Sequence, residues 1–369
     1  MQGVRQPAHT RSVGFRARSG RYRLRDVTAD VPDAAAVPDA SDAPGRPPAG
    51  DGDGGGRLSV KLLVVALVGQ LALFGGLIAL TVHGFPFFGG GGHDGDPIAT
   101  SLVAGRVPKA NVNRFDGRRA MATARMQVDA GPRPAGSRAL RRVAEKLRAE
   151  LPDGHFENVP AQPGLRNIVG DLPGPGPVIV IGAHYDTINS PKGFVGANDS
   201  AAAVGAVVEL ARALKKVQRS AISPGIRFVL FDGEEEQKPT DDFYRDALRG
   251  SKSYVQLHAE EVRAMVLLDY IGNKGVRLPR EGTSTTSLWD DVRAAAKKVG
   301  VGAIFPDKTQ TSIFDDHTPF LRADIPAVDL IDWSYPYQHK LTDSYDKLSV
   351  DSVDAVGETI VQLIESWPS

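Results

Sequence analysis

Five potential metal ligands lie where an α/β fold would bring them together, four of them directly after or just past short apolar segments. They are His184 in GAHYDT, Asp199 in GANDS, Glu235 in FDGEEE, Asp269 in LLDYIG and His339 in YPYQHK. Ligands of open α/β sheets bind in the crevice beyond the carboxyl ends of the strands, where such residues would meet. Histidine nitrogen and carboxylate oxygen together suit zinc. The sequence therefore predicts a zinc enzyme with one or two bound ions.

Each of these residues also has an ordinary structural explanation. A single histidine such as His184 is commonly structural, although Asp186, two residues on along an extended segment, could orient its ring behind a metal. Asp199 lies directly before a predicted helix, where Asn198, Asp199 or Ser200 would serve as the N-cap. The order of the ligands at successive strand ends favours a metal site over these separate explanations.

The FDGEEE segment is the most specific part of the pattern. Three adjacent acidic residues repel one another unless a cation or a proton compensates, and a solvated acidic loop is less expected directly after IRFVLF. We expect Glu235 to ligate and Glu234 to act as general base, because a metal lowers the pKa of its bound water towards about 7. In FDDHTPF, one of Asp315 and Asp316 would hold Glu234 or the substrate amine, and we assign Asp316 to this second catalytic role.

Composition excludes several other chemistries. Lys and Arg together number 44, as do Asp and Glu, so no global field favours nucleic acid and no nucleic-acid partner is expected. The chain contains no cysteine, which removes disulfides, thiolate ligands and a cysteine nucleophile. Its 369 residues suffice for one large α/β domain plus attachments, or for two modest domains.

The first part of the chain predicts attachment to a membrane. Residues 1–57, rich in Arg and then in Ala, Pro, Asp and Gly, predict a disordered segment. The run Leu62–Val82 is apolar apart from Gln70 and Thr81, and it is long enough to span a bilayer. A buried core helix or a signal peptide fits less well, because the run is long and follows a long polar segment. A transmembrane helix is therefore predicted within residues 58–83.

Basic residues set the predicted orientation of this helix. Arg57 and Lys61 flank its N-terminal side, whereas HGFPFFGGGGHDGD on the far side carries neither Lys nor Arg. The positive-inside rule then places the N-terminus in the cytoplasm and the remainder outside the cell membrane. Residues 84–112 predict a Gly-rich tether, and residues 113–369 a catalytic domain.

Strands alternate with helices through that domain. Continuous apolar runs predict buried strands in NIVGDL, PVIVIGAHYD, IRFVLF, AMVLLD and AVDLID. Helical spacing and helix-ending signals predict helices over Gly117–Ala130, Ser137–Leu151, Ser200–Lys216, Ser287–Val299 and Val350–Trp367. This alternation is typical of an α/β fold with a mostly parallel central sheet flanked by helices.

The same segments carry a family resemblance. In their order along the chain, GPRPAGS, NIVGDLPG, GAHYDT, GANDSAAAVGAVVELARAL, FDGEE, LLDYIG, DDHTPFL and YPYQH resemble the motifs of the zinc aminopeptidase and glutaminyl cyclase family, peptidase family M28. The resemblance covers residues 113–369. It implies a zinc exopeptidase-like, phosphorylase/hydrolase-type sandwich, with a central mixed sheet and one or two zinc ions at its carboxyl edge.

The family's metal ligands carry over by position. His184 and Asp269 would hold different ions, and Asp199 would bridge the two. Glu235 and His339 would complete the set. The aminoacylase-like carboxypeptidases have a similar ligand order, but they insert a lid domain for which the segment between Asp269 and His339 leaves no room.

Two activities remain within the family, and in both Glu234 matches the acid/base glutamate. An aminopeptidase needs a water nucleophile, ideally between two metals, to attack a peptide carbonyl. A glutaminyl cyclase uses one zinc to polarise the side-chain amide of an N-terminal glutamine, while the glutamate shuttles a proton. FDGEE and DDHTPFL look closer to the cyclases. Against this, Gln338 stands where cyclases carry a tryptophan, Lys340 replaces their usual threonine, and no Trp follows the glutamate pair before Trp289.

These comparisons favour hydrolysis. We expect a membrane-tethered zinc aminopeptidase that acts on the N-termini of peptides or proteins, with a glutaminyl-peptide cyclotransferase as the alternative. A non-catalytic ectodomain of the same fold is a third hypothesis. Such proteins typically lose ligands or the glutamate, and this chain keeps all of them.

Overall fold

The structure of the protein is a computed structural model that describes residues 106–160, 162–217, 222–236, 238 and 242–367. The predicted disordered segment, the predicted membrane helix and residues 84–105 of the predicted tether lie outside these residues. Within the described part of the chain, no helix has the length and apolar character needed to cross a membrane.

A six-stranded mixed sheet forms the centre of the domain. Its strands are β1 (His155–Asn158), β2 (Arg166–Leu172), β3 (Val178–His184), β4 (Ile226–Phe231), β5 (Val262–Leu268) and β6 (Ala327–Leu330). They lie in the order β1-β2-β4-β3-β5-β6. Strands β3 to β6 are parallel, whereas β2 runs antiparallel to β4 and β1 antiparallel to β2. The carboxyl ends of four strands therefore meet at one edge, as the sequence predicts.

Helices cover both faces of this sheet. They are α1 (Gly117–Asp129), α2 (Arg138–Glu150), α3 (Ala202–Lys216), the one-turn α4 (Phe243–Asp246), α5 (Arg249–His258), α6 (Thr286–Lys298), the short α7 (Thr318–Arg322) and α8 (Val350–Glu365). Alternate residues of β3 face opposite layers: Ile179 and Ile181 join the core under α1, α3, α6 and α8, while Val180 joins the core under α5 and α7. Burial on both faces explains the continuous apolar runs in the sequence.

Local signals explain where the first helices begin and how closely they pack. The side chain of Asp116 caps α1 by accepting from the Arg119 N–H, and Ser137 caps α2 by accepting from Leu140. At Gly205 in α3, an added Cβ would lie 2.3 Å from the carbonyl oxygen of Ala120 in α1. Only glycine permits this close approach of the two helices.

The structure differs from the sequence prediction at two places. Residues 106–112, predicted as tether, pack against the domain: Val107 is buried in the core, and the Asn111 N–H donates to the Val299 carbonyl at 2.9 Å. The sheet is also less uniformly parallel than the apolar runs indicate, because β1 was too short and polar to predict and β2 reverses direction.

Candidate metal centre

The first potential ligand, His184, is the last residue of β3. Its ring is buried, with Nε2 3.2 Å from Asp199 Oδ1 and 3.7 Å from Asp269 Oδ1. Nδ1 lies 3.7 Å from Asp186 Oδ1, which is too long for a direct hydrogen bond. The carboxylate of Asp186 instead accepts the backbone N–H groups of Glu234 and Glu235 at 3.1 and 3.4 Å. Asp186 thus joins the end of β3 to the acidic loop after β4.

Asp199 lies in a turn of π-helix, Ala197–Ala201, just before α3. Its side chain makes no N-cap hydrogen bond; instead Oδ2 accepts from the Tyr270 hydroxyl at 3.1 Å, and Oδ1 faces His184. The capping explanation for Asp199 is therefore not supported. The turn itself is held by Asp343, whose carboxylate accepts the N–H groups of Asn198 at 3.0 Å and Asp199 at 3.2 Å.

Glu234 and Glu235 are positioned by a sharp turn after β4. Gly233 has φ +78°, a left-handed conformation that glycine adopts without strain. The buried Arg249 then holds the loop, because its guanidinium donates to the carbonyl of Gly233 at 3.1 Å and of Glu235 at 2.7 Å. Both glutamates are buried at the cleft that follows.

Asp269 and His339 complete the set from two different environments. Asp269 directly follows β5, and its Oδ1 accepts the N–H of Tyr270 at 2.8 Å. His339 lies in a loop with φ +52°, and its Nε2 is 3.5 Å from Asp199 Oδ2. The side chain of His339 is 49% exposed, whereas the other four potential ligands are buried.

The five side chains form two groups that share Asp199. His184, Asp199 and Asp269 make one group, and Asp199, Glu235 and His339 make the other, with the ligand atoms of each group within 4.8 Å of one another. Asp199 occupies the bridging position that the resemblance implies. The expectation that His184 and Asp269 hold different ions does not fit this geometry, because both lie in the same group.

The two histidines compensate the carboxylates of this site only in part. Burial raises the pKa of Glu235 well above its usual range, as do Asp199 and other carboxylates nearby. Burial likewise raises the pKa of Asp269 to about 6. Burial lowers the pKa of His184, but the surrounding carboxylates outweigh this and raise it well above the usual value. Asp199 differs: burial raises its pKa, yet His184 and His339 hold it below the usual value.

This donor set fits zinc. Two groups of nitrogen and carboxylate oxygen match its preferences, and Glu235 Oε1 is buried without a hydrogen-bond partner among the described residues. A divalent cation would compensate the carboxylates whose ionised forms burial disfavours. The residues predicted as ligands from the sequence are those that the fold brings together.

A cleft of about 330 Å³ opens over the two groups. Its floor is polar and its walls are largely apolar, formed by Phe243, Tyr270, Ile313, Phe314, Ile331 and Trp333. Trp333 is 39% exposed, and its ring centroid lies 6.3 Å from that of Tyr270. An aromatic wall is thus present although Gln338, not tryptophan, precedes His339.

The two aspartates of DDHTPFL are placed differently. Asp315 lines the cleft together with Glu234, whereas Asp316 is fully buried and does not line it. Burial, followed by the charge of Asp269, raises the pKa of Asp315 to about 7. The geometry thus favours Asp315 over the sequence-assigned Asp316 as the residue that meets a substrate.

Sequence reasoning did not find the residues that hold the ligands in place. The sequence around Arg249 does not indicate its contact with the acidic loop, because its hydrogen-bond partners are backbone carbonyls 14 and 16 positions earlier. Asp343 lies four residues after His339, and its partners Asn198 and Asp199 are more than 140 positions away. Only the proximity of Asp343 to His339 along the chain could have drawn attention to it.

Comparison with known sequences gives a consistent result. A sequence model described as peptidase family M28 matches residues 167–364. The chain is similar to the glutaminyl-peptide cyclotransferases of Bothrops jararaca and Bos taurus, each 27% identical over 49% of this chain and 60% of the relative. The chain therefore spans about 60% of the length of these curated relatives.

Solved structures show the same fold. The chain is similar to a leucine aminopeptidase precursor from Bacteroides thetaiotaomicron, with 28% identity, a TM-score of 0.62, and coverage of 70% of this chain and 100% of that one. It is similar also to the glutaminyl cyclase of the same organism bound to N-acetylhistamine, with 28% identity, a TM-score of 0.61, and coverage of 71% and 100%. Proteins named for both activities thus share its mixed α/β architecture, a central sheet flanked by helices.

Proposed function

The chain belongs to peptidase family M28, and on that premise we propose that it is a zinc-dependent aminopeptidase that removes N-terminal residues from peptides. The observation that carries the proposal is the pair of ligand groups joined by Asp199. Two metal ions about 3.5–4 Å apart are a recurrent arrangement in aminopeptidases. In the proposed site, His184 and Asp269 would hold one zinc, Glu235 and His339 would hold a second, and Asp199, which belongs to both groups, would serve both.

Bound zinc would supply a Lewis acid that polarises the scissile carbonyl. The protein's own residues would transfer the proton, bind the substrate amine and exclude water. Burial and the adjacent Glu235 raise the pKa of Glu234 well above its usual range, which makes this carboxylate a stronger proton acceptor. Asp315, on the same cleft, is placed to receive the free α-amine of the substrate. The apolar walls, including Trp333, exclude water and contact the N-terminal side chain.

Glutaminyl cyclisation is the second candidate. It is supported by curated relatives and solved structures that carry that name, and by the aromatic wall at Trp333. Both reactions use a proton carrier at Glu234 and an ordered α-amine. They differ in the nucleophile, which is water in hydrolysis and the α-amine itself in cyclisation.

Product analysis separates the two reactions. The zinc-loaded full chain is incubated with Gln-initiated peptides and with aminoacyl chromogenic substrates. We expect release of the free N-terminal amino acid and of the chromophore. Ammonia release with a pyroglutamyl product, and no peptide-bond cleavage, would replace the aminopeptidase by the cyclase. A chain that binds no zinc and acts on neither substrate would support the non-catalytic hypothesis.

The proposal includes a membrane anchor. Its support is the apolar run Leu62–Val82, with Arg57 and Lys61 on its N-terminal side, which puts the catalytic domain outside the cell membrane. The full chain should stay with the membrane fraction after alkaline extraction, and added protease should reach the catalytic domain in intact cells. Recovery of the full chain in the alkaline supernatant would overturn the anchor.

A further inference from the structure

A second cavity lies beside the cleft and shares a wall with it. Its volume is about 310 Å³. The segment Ser312, Ile313 and Phe314 lines both cavities, so it separates the metal-binding floor on one side from this second space on the other. Leu321 and Arg322 of α7 line only the second cavity. The surface of the second cavity is mostly apolar, which suits an apolar side chain.

Phe314 forms an exposed aromatic ridge between the two cavities. Its side chain is 53% exposed, although an exposed phenylalanine forfeits the free energy that its burial would gain. The ring of Tyr244 lies beside it, with centroids 6.0 Å apart. Because Phe314 lines both cavities, its exposed ring offers an apolar contact to a ligand that extends from one cavity into the other.

Arg322 adds an available positive charge at the edge of the second cavity. Its guanidinium carbon lies 3.4 Å from the Tyr244 ring centroid and 5.9 Å from that of Phe314. Stacking occupies the flat face of the group, whereas its N–H donors lie in the plane of the guanidinium, at its rim. Among the described residues, no acceptor for these donors and no ion-pair partner is found. A guanidinium group can bind a carboxylate through two parallel N–H···O hydrogen bonds.

We propose that the second cavity is a subsite for the peptide chain beyond its N-terminal residue. It accepts an apolar side chain across the Phe314 ridge, and Arg322 binds a carboxylate that follows. The carboxylate comes from an acidic side chain or from the C-terminus of a short peptide. This inference rests on the proposed action at peptide N-termini, and it names the substrate class: peptides with an apolar residue downstream, followed by a carboxylate.

The test uses peptides with one common N-terminal residue. A phenylalanine is moved through positions two to four of an otherwise Gly/Ser pentapeptide, and each peptide is made as the C-terminal acid, as the amide, and as the amide with Asp at position five. We expect one position of the phenylalanine to lower KM about tenfold. The acid or the Asp peptide should be preferred over the plain amide by a further several-fold.

Two variants of the full chain locate the effect. Leu321→Trp fills the second cavity and should remove the preference for phenylalanine; Arg322→Gln should remove the preference for the carboxylate only. Neither residue lines the cleft, so both variants should cleave an aminoacyl chromogenic substrate, which is too short to reach the second cavity, at the normal rate. Arg263→Gln is the matched control. This exposed arginine is the second residue of β5, so it lies at the amino end of that strand, away from the carboxyl ends where the cleft opens.

The outcomes separate this inference from the proposed function. If the chromogenic substrate is cleaved but the peptide preferences are absent, or survive in both variants, the subsite is wrong and the aminopeptidase stands. If Gln-initiated peptides are cyclised instead, the same peptide series is made with N-terminal Gln, and the same preferences are measured on the cyclisation reaction. If neither reaction occurs, equilibrium binding of fluorescently labelled peptides decides, and equal affinities for the parent chain and Arg322→Gln would overturn the inference.

Discussion

Glu234 and Glu235 are adjacent and buried, and both are carboxylates, yet their surroundings favour different roles. Glu235 belongs to a group of potential ligands, whereas Glu234 lines the cleft outside both groups. Glu234→Gln should lower kcat by about 10²- to 10⁴-fold, because the proton carrier is lost, while zinc content stays unchanged. Glu235→Gln should instead reduce bound zinc. Metal analysis beside kinetics checks both, and activity that survives Glu234→Gln would remove it as the base.

Asp315 and Asp316 give a second matched pair. Asp315 lines the cleft, so Asp315→Asn should raise KM and lower kcat by about tenfold to a hundredfold. Burial, together with Asp315, raises the pKa of Asp316 well above its usual range, which favours the neutral form of this carboxyl. Asp316 does not line the cleft, and asparagine has a similar shape, so Asp316→Asn should leave the kinetics nearly unchanged. The reverse order of effects would support the sequence-based assignment of Asp316.

At the scale of elements, the loop after β6 depends on Asp343. Its carboxylate accepts from the hydroxyl of Tyr335 at 2.6 Å and from the backbone N–H groups of Asn198 and Asp199, and so joins the loop that carries His339 to the turn that carries Asp199. Asp343→Asn replaces one accepting oxygen by an NH₂ group, which would face the hydroxyl or the N–H groups that the carboxylate now accepts. We expect the affinity for zinc to fall about tenfold to a hundredfold, as for other groups that orient ligands.

Competition with a chelator measures that affinity. Asp346→Asn is the control, because Asp346 is an exposed aspartate three residues further on, paired with Lys347 and Ser344. Equal zinc affinity in the Asp343 and Asp346 variants would show that the loop holds its position without this carboxylate.

Elements with strong periodicity were predictable, and the loops that hold the ligands were not. Helices α1, α2, α3, α6 and α8 and strands β2 to β6 begin and end close to their predicted residues, because burial on one or two faces leaves a regular apolar pattern. Three of the five potential ligands, His184, Glu235 and Asp269, were predicted from the ends of these strands. Helix α5 and Arg249 were missed, because their contacts join segments that share no local pattern. Tertiary contacts of this kind cannot be inferred from one stretch of sequence.

For the whole molecule, the buried charges of the metal site couple stability to pH. A carboxyl whose pKa is higher in the folded than in the unfolded protein stabilises the fold below about pH 4, and this contribution is lost as the pH rises through the folded pKa. Asp269, with a pKa raised to about 6, and Glu234 and Glu235, raised further, act in this direction. His184 acts in the same direction. Because its pKa is raised in the folded protein, it stabilises the fold at low pH, and this stabilisation is lost as the pH rises through the raised pKa. Asp199 acts oppositely, but only as the pH falls below about 4.

Between about pH 5 and pH 8, these groups therefore make the metal-free protein less stable as the pH rises. Zinc should reverse this trend, because its ligands must be deprotonated and its affinity grows with pH. At a free concentration a hundred times its Kd, zinc would add about 2.7 kcal/mol to the free energy of unfolding. Urea unfolding at about pH 5 and about pH 7.5, with zinc, with chelator and with Mg²⁺ as control, measures the difference. A zinc effect of equal size at both pH values would mean that the buried carboxylates are not the groups to which the metal binds.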